Sequence, residues 1–164
     1  MIIRKGVPRD DQGNEGRAER FGGFESLRYS DAGGVTQFGA YVETLQPESC
    51  SSDRHWHEEE DEFLYVLSGE ATVIEDDGAH LLLPGDAACW PAGAANAHQV
   101  QNRTKAPRTY LIVGTRAPRD VVHYPDSGKI LYNEGDRWRL LRTDGTLLKS
   151  GGFSYVSGST LDDA

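Results

Sequence analysis

The sequence predicts an all-β protein built from antiparallel strands. Short apolar runs follow one another along the chain, several of them alternating with polar residues, and turn signals separate them at close intervals. The 19 glycines among 164 residues fit a fold with many turns. No stretch before residue 116 has the apolar period of an amphipathic helix. Together these features are typical of an antiparallel sandwich or barrel.

The first predicted strand covers residues 35–45, where β-branched and aromatic residues are frequent, and it ends at the turn signal of residues 46–49. Further strands, separated by turns rich in Gly, Pro and Asp, are predicted at residues 63–67, 71–75, 80–83, 87–90, 98–102 and 109–115. We therefore assign residues 21–116 to one β-barrel domain.

The two ends of the chain differ from this pattern. Residues 1–20 are polar and carry charges of both signs, so we expect an N-terminal arm there. Residues 117–164 contain weaker apolar patches that turn signals interrupt. We expect an irregular C-terminal extension that packs on the barrel or on a partner subunit. A chain of 164 residues leaves little room for a second domain.

Charge and hydropathy exclude several classes of function. The net charge of −9 argues against binding to nucleic acid or to an anionic membrane surface, because both require a basic surface. No apolar stretch approaches the roughly 20 residues of a membrane span, and the N-terminus lacks the apolar core of a signal peptide. We expect a cytoplasmic protein in which Cys50 and Cys89, the two cysteines, are free thiols.

Two histidines and a glutamate lie at spacings that suit one metal ion. His55 and His57 are two residues apart, so on an extended strand both imidazoles point to the same face. Glu62 follows after an odd separation and would point away if the strand continued. We therefore predict a turn at residues 58–61, after which Glu62 opens the next strand and faces back toward the histidines.

A third histidine follows much later in the chain. His98 lies just after the predicted turn at residues 91–93. Imidazoles combined with a carboxylate suit a first-row divalent metal. Four protein ligands on an ion that accepts six leave positions for water or substrate, which is a property of catalytic rather than structural sites.

These residues carry a resemblance to the cupin superfamily. The spacing His55-x-His57, four residues, Glu62, six residues, Gly69 resembles the first cupin motif. Residues 85–102 resemble the second motif, with Gly85, five residues, Pro91-x-Gly93, then His98, three residues and Asn102. Ser49 stands where the first motif usually begins with Gly. The loop before His98 is two residues longer than usual. The resemblance covers roughly residues 35–115.

The resemblance implies a cupin-type antiparallel β-barrel, also called a double-stranded β-helix or jelly roll. It further implies one divalent transition metal per chain (Fe, Ni, Mn, Co or Zn), held by His55, His57, Glu62 and His98. Cupins commonly pair through their sheet faces, so the resemblance also favours a homodimer.

Several functions remain open at this point. The first hypothesis is a metal-dependent enzyme that acts on a small polar metabolite, with a dioxygenase slightly preferred over a sugar isomerase or epimerase. The second is a non-catalytic sensor or binding module for a small molecule. The third is a metal-free barrel that serves as an assembly element, since this fold supports many functions.

Overall fold

Strands make up most of the chain in the computed structural model, which describes residues 1–8 and 17–152. The strands are β1 (Val7–Pro8), β2 (Phe24–Arg28), β3 (Phe38–Leu45), β4 (Trp56–His57), β5 (Glu62–Ser68), β6 (Ala71–Glu75), β7 (Gly78–Leu82), β8 (Ala87–Trp90), β9 (Gln99–Gln101), β10 (Arg108–Thr115), β11 (Arg119–Tyr124), β12 (Lys129–Glu134), β13 (Arg137–Arg142) and β14 (Leu147–Gly152). The helices are α1 (Arg17–Phe21), α2 (Tyr29–Ala32) and a 3-10 helix at Pro125–Ser127. The predicted all-β class is confirmed.

Three antiparallel sheets organise these strands. The first has the order β1-β2-β3-β10-β5-β8, and the second has the order β7-β6-β9. The hydrophobic core contains residues from both of these sheets: Leu45, Leu64, Val66, Ala71, Val73, Leu82, Trp90, Val100 and Tyr110. The third sheet has the order β14-β13-β12-β11-β4. Because β4 carries His57, the third sheet lies directly beside the predicted metal site.

Strand β5 shows the alternation that specifies one buried face. Leu64 and Val66 are 0% and 1% exposed, whereas Phe63, Tyr65 and Leu67 are 37%, 38% and 45% exposed. These last three residues form what we call the outer apolar face of β5. Their register neighbours on β10 and β3 are also apolar, namely Leu111, Val113, Val42 and Ala40. The described C-terminal strands leave the outer apolar face exposed.

The C-terminal extension is regular, and this corrects the prediction of an irregular segment. Strands β11 to β14 form an antiparallel meander. The apparent interruptions in the sequence are tight connections in which Gly128, Gly135 and Gly145 adopt positive φ values of 59°, 62° and 86°. Turn signals between weakly apolar patches therefore marked hairpins rather than irregular chain. Residues 153–164 of the predicted extension lie outside the described residues.

The N-terminal part also contains more structure than the sequence predicted. Strand β1 pairs with β2, and β2 pairs with β3, which extends the first sheet. The first predicted strand, residues 35–45, is observed as β3 from Phe38. Residues 9–16 of the predicted arm lie outside the described residues, so the assignment of 1–20 as an arm stays a prediction. In the described ranges, each helix is too short to cross a membrane.

Candidate metal site

Backbone pairing brings His55 and His98 together. The amide of His55 donates to the carbonyl of His98 at 3.0 Å, and the amide of His98 donates to the carbonyl of His55 at 2.8 Å. Strand β4 then places His57 against β11, with His57 opposite Val122. Glu62 begins β5, as predicted, and residues 58–61 form the connection between β4 and β5.

The longer loop of the second motif does not displace His98. Gly93 adopts a φ of 76°, which favours glycine, and its amide donates to the carbonyl of His57 at 2.9 Å. Asn96 accepts a hydrogen bond from the backbone amide of Asp76 at 3.1 Å. The additional residues are therefore held within the loop, and the His55–His98 bridge follows directly after it.

The four predicted side chains meet around one carboxylate oxygen. Oε2 of Glu62 lies 2.7 Å from Nε2 of His98. The Nε2 atoms of His57 and His55 lie 3.7 Å and 3.9 Å from the same oxygen. All four side chains are largely buried. The structure thus brings together every residue of the predicted set, while their role as metal ligands stays a prediction.

The hydrogen bonds of two imidazoles indicate where their lone pairs point. Nδ1 of His57 lies 2.6 Å from Oδ2 of Asp120, and Nδ1 of His55 lies 2.9 Å from the carbonyl oxygen of Asp53. Both partners can only accept, so in each neutral imidazole the proton is on Nδ1 and the lone pair is on Nε2. These two lone pairs face the Glu62 carboxylate without a proton between them. A cation fits such a donor set, and outer hydrogen bonds of this kind orient metal-binding histidines.

Electrostatics favour the same donor state at neutral pH. Burial lowers the pKa of His55 to about 4, although the charge of Glu62 opposes this shift. Burial alone would raise the pKa of Glu62, but its hydrogen bond with His98 and the charges of His57 and His55 lower this pKa to about 2. His55 is therefore neutral and Glu62 ionised near pH 7. These are the forms that coordinate metal ions.

His57 is electrostatically coupled to Asp120. Burial opposes protonation of His57, but the hydrogen bond to Asp120 outweighs it, together with the charges of Glu62, Asp120 and Glu60, so the pKa of His57 is raised. Burial likewise opposes ionisation of Asp120, and the hydrogen bond from His57 outweighs it and lowers the pKa of that carboxyl group. A metal ion would therefore compete with a proton for Nε2 of His57.

Asp120 is the main site residue that sequence reasoning missed. Its side chain is 1% exposed, and its second oxygen accepts a hydrogen bond from the backbone amide of Glu59 at 3.0 Å. Asp120 comes from β11, in the segment that was predicted to be irregular. The available signal was a single carboxylate beside the apolar pair Val121-Val122, and no motif spacing connected it to His57.

Two aromatic rings also border the histidines. Trp90 stacks on His98 with ring centroids 3.8 Å apart and an interplanar angle of 10°, and its indole nitrogen donates to Glu75 at 2.6 Å. The ring of Tyr124, also on β11, lies 5.7 Å from the ring of His55. The sequence alone left undecided which of Trp90 and Cys89 faces inward. Trp90 is buried, whereas Cys89 is exposed.

Within residues 1–8 and 17–152, two other groups of acidic residues and histidines lie close enough to share an ion. One consists of Glu60, Asp120 and the Nδ1 side of His57, where the short hydrogen bond already occupies the nitrogen. The other consists of Glu75, Asp77 and His80, in which the Asp77 side chain is 73% exposed. The four-residue cluster around Glu62 is more buried and contains more nitrogen donors than either.

Comparisons with known proteins agree with this fold. The family profile of the cupin domain matches residues 41–114. The crystal structure of a sugar phosphate isomerase from a cupin superfamily, from Silicibacter pomeroyi, is 39% identical, with a TM-score of 0.78 over 90% of this chain and 92% of that chain. The protein therefore belongs to the cupin superfamily.

Further similarities are more distant. The structure of a sugar phosphate isomerase candidate from Acidithiobacillus ferrooxidans is 26% identical, with a TM-score of 0.74 over 91% of this chain and 96% of that chain. A predicted oxalate decarboxylase from Thermotoga maritima is 19% identical, with a TM-score of 0.55 over 71% of this chain and 100% of that chain, and it supports the fold alone. No curated protein matches the chain significantly.

Proposed function

We propose that this protein is a metal-dependent isomerase of sugar phosphates. The observation that carries the proposal is the convergence of three Nε2 atoms on the Glu62 carboxylate, with the lone pairs of His55 and His57 directed toward it. The similarity to a sugar phosphate isomerase along most of both chains supports this reaction class. It favours the isomerase alternative over the dioxygenase that the sequence analysis slightly preferred.

The donor set suits one divalent transition metal. His55, His57, Glu62 and His98 would hold it, and Fe, Ni, Mn, Co and Zn are all compatible with imidazole and carboxylate ligands. When bound, such an ion polarises a carbonyl or hydroxyl oxygen of the substrate. An aldose–ketose interconversion breaks one C–H bond, forms another on the adjacent carbon and exchanges carbonyl for hydroxyl. It is redox-neutral overall and needs no oxidant or second substrate.

The protein's own groups orient the site for this chemistry. Asp120 and the carbonyl of Asp53 hold the rings of His57 and His55, and the stacked indole of Trp90 restricts rotation of His98. Preorganised donors of this kind reduce the reorganisation that accompanies reaction.

The test combines metal content with activity. The protein is purified without an affinity tag and without oxygen, its metals are measured by mass spectrometry, and a panel of aldose and ketose phosphates is assayed for interconversion. We expect about one metal per chain and isomerisation of at least one sugar phosphate, both lost in His55→Ala. The matched control is His80→Ala, because His80 is an exposed histidine outside the cluster.

Other results would redirect the assignment. Bound metal with oxygen consumption and no isomerisation would support the dioxygenase hypothesis instead. Absence of metal after reloading would overturn the proposal and leave a metal-independent binding module as the better hypothesis.

A further inference from the structure

The third sheet turns one of its faces toward the candidate metal site. On β11, the side chain of Asp120 contacts His57 and the ring of Tyr124 lies beside His55. The intervening even-numbered residue, Val122, is 2% exposed and pairs with His57. The opposite face of the sheet carries His123, whose ring stacks on the ring of Trp56 with centroids 4.1 Å apart. The even-numbered residues of β11 therefore belong to the site-facing side of this sheet.

Cross-strand pairing places two cationic residues on the same face of the sheet as Tyr124. Tyr124 pairs with Lys129, and Lys129 pairs with Arg142. Directly paired residues of antiparallel strands lie on the same face, so Lys129 and Arg142 share the face of Tyr124. Their backbones lie one and two strand spacings from Tyr124, roughly 5 and 10 Å. We call this pair the Lys129–Arg142 pair.

In the described part of the chain, neither residue of the Lys129–Arg142 pair forms an ion pair, although Arg142 lies near enough to Asp144 to help lower the pKa of that carboxyl group. Asp126, close to Lys129 in sequence, is instead bound by Arg54 at 2.7 and 3.0 Å. Like charges directly opposite each other destabilise a sheet. The protein has a net charge of −9, yet these two cations lie side by side on the site-facing side of the sheet. An anion bound between them would offset their mutual repulsion.

We propose that the Lys129–Arg142 pair binds the phosphate group of the substrate, an inference that rests on the proposed function. A terminal phosphate lies several bonds from the reacting carbons of a sugar phosphate, and the pair lies across Tyr124 from the histidines. Arg binds phosphate oxygens through its planar fork of N–H donors, and Lys adds a compact positive charge. The pair would thus select phosphorylated over unphosphorylated sugars.

The first experiment measures binding of inorganic phosphate to the metal-loaded protein at constant ionic strength, by calorimetry. We expect saturable binding that weakens about tenfold in Lys129→Gln and in Arg142→Gln, which corresponds to loss of one charge-assisted contact in each. The matched control is Arg137→Gln. Arg137 is an exposed cation on β13, and its odd-numbered position places it on the opposite face of the sheet. Its replacement therefore changes the net charge equally without altering the Lys129–Arg142 pair.

The second experiment compares isomerase kinetics of the same variants. We expect KM for the phosphorylated substrate to rise about tenfold in both site-facing variants, with kcat and metal content close to wild type. Phosphate binding that depends on the pair without any isomerase activity would support the subsite and contradict the proposed reaction. Isomerase activity with unchanged KM in both variants would overturn the subsite alone. Absence of saturable phosphate binding, or equal weakening in Arg137→Gln, would also overturn it.

Discussion

Replacing Asp120 by Asn should disturb His57 although the two side chains have nearly the same shape. Asp120 uses one oxygen to accept from the Glu59 amide at 3.0 Å and the other to accept from Nδ1–H of His57 at 2.6 Å. An Asn side chain offers one acceptor oxygen and one NH2 group that can only donate. If its oxygen faces Glu59, its NH2 group faces His57 and requires the proton of that ring to move to Nε2. If the amide is reversed, its NH2 group opposes the Glu59 amide.

The expected magnitudes follow from these contacts. A proton on Nε2 of His57 removes the lone pair that faces Glu62, and loss of an outer-shell partner typically lowers metal affinity about 10- to 100-fold. In the reversed orientation the tautomer is kept, but an unsatisfied buried donor lowers the free energy of unfolding by about 1–3 kcal/mol. For a domain of this size, each kcal/mol corresponds to a decrease in Tm of roughly 2–4 °C.

The assay reads the tautomer directly. Nitrogen-15 NMR of the histidine rings distinguishes a proton on Nδ1 from one on Nε2, and chelator competition gives the metal affinity. The control, Asp126→Asn, makes the same chemical change in an exposed carboxylate that binds Arg54 and should leave both readouts unchanged. An Asp120→Asn protein with the wild-type His57 tautomer, a metal affinity within twofold of wild type and an unchanged Tm would refute this reasoning.

Three further predictions concern stability and assembly. Because the folded-state pKa of His55 is about 4, below the ordinary value of 6.5, the unfolded chain binds more protons between these pH values. The unfolding free energy of the metal-free protein, measured with urea, should therefore fall by about 3 kcal/mol as pH decreases through this window, and His55→Gln should remove that slope. We also propose a homodimer in which the outer apolar face of β5 meets its symmetric copy, since that face leaves three large apolar side chains partly exposed side by side. Leu67→Glu should then give a monomer by light scattering while the exposed Leu81→Glu stays dimeric, and a monomeric wild type would contradict the proposal. Finally, Leu64→Ala should lower the unfolding free energy by about 2–5 kcal/mol in the same urea titrations, whereas Leu81→Ala should change it by less than about 0.5 kcal/mol.

The strands of the barrel and the approach of Glu62 to His55 and His57 were predictable from the sequence, whereas His98 was added by the resemblance to the second cupin motif. Local chemistry was sufficient for the first three residues, because a strand places residues two apart on the same face and the polar residues 58–61 favour a turn. These features depend on near neighbours in the chain, so they leave a readable local signal.

The surroundings of the site depend on tertiary contacts that the sequence did not predict. Asp120 and Tyr124 reach the histidines through pairing of β11 with β4, between segments separated by more than 60 residues. Lys129 lies beside Tyr124 through the local hairpin of β11 and β12, but only the long-range pairing of β11 with β4 brings this hairpin to the histidines. Such register depends on contacts between distant segments, so the local sequence of either segment does not determine which residues become opposite each other.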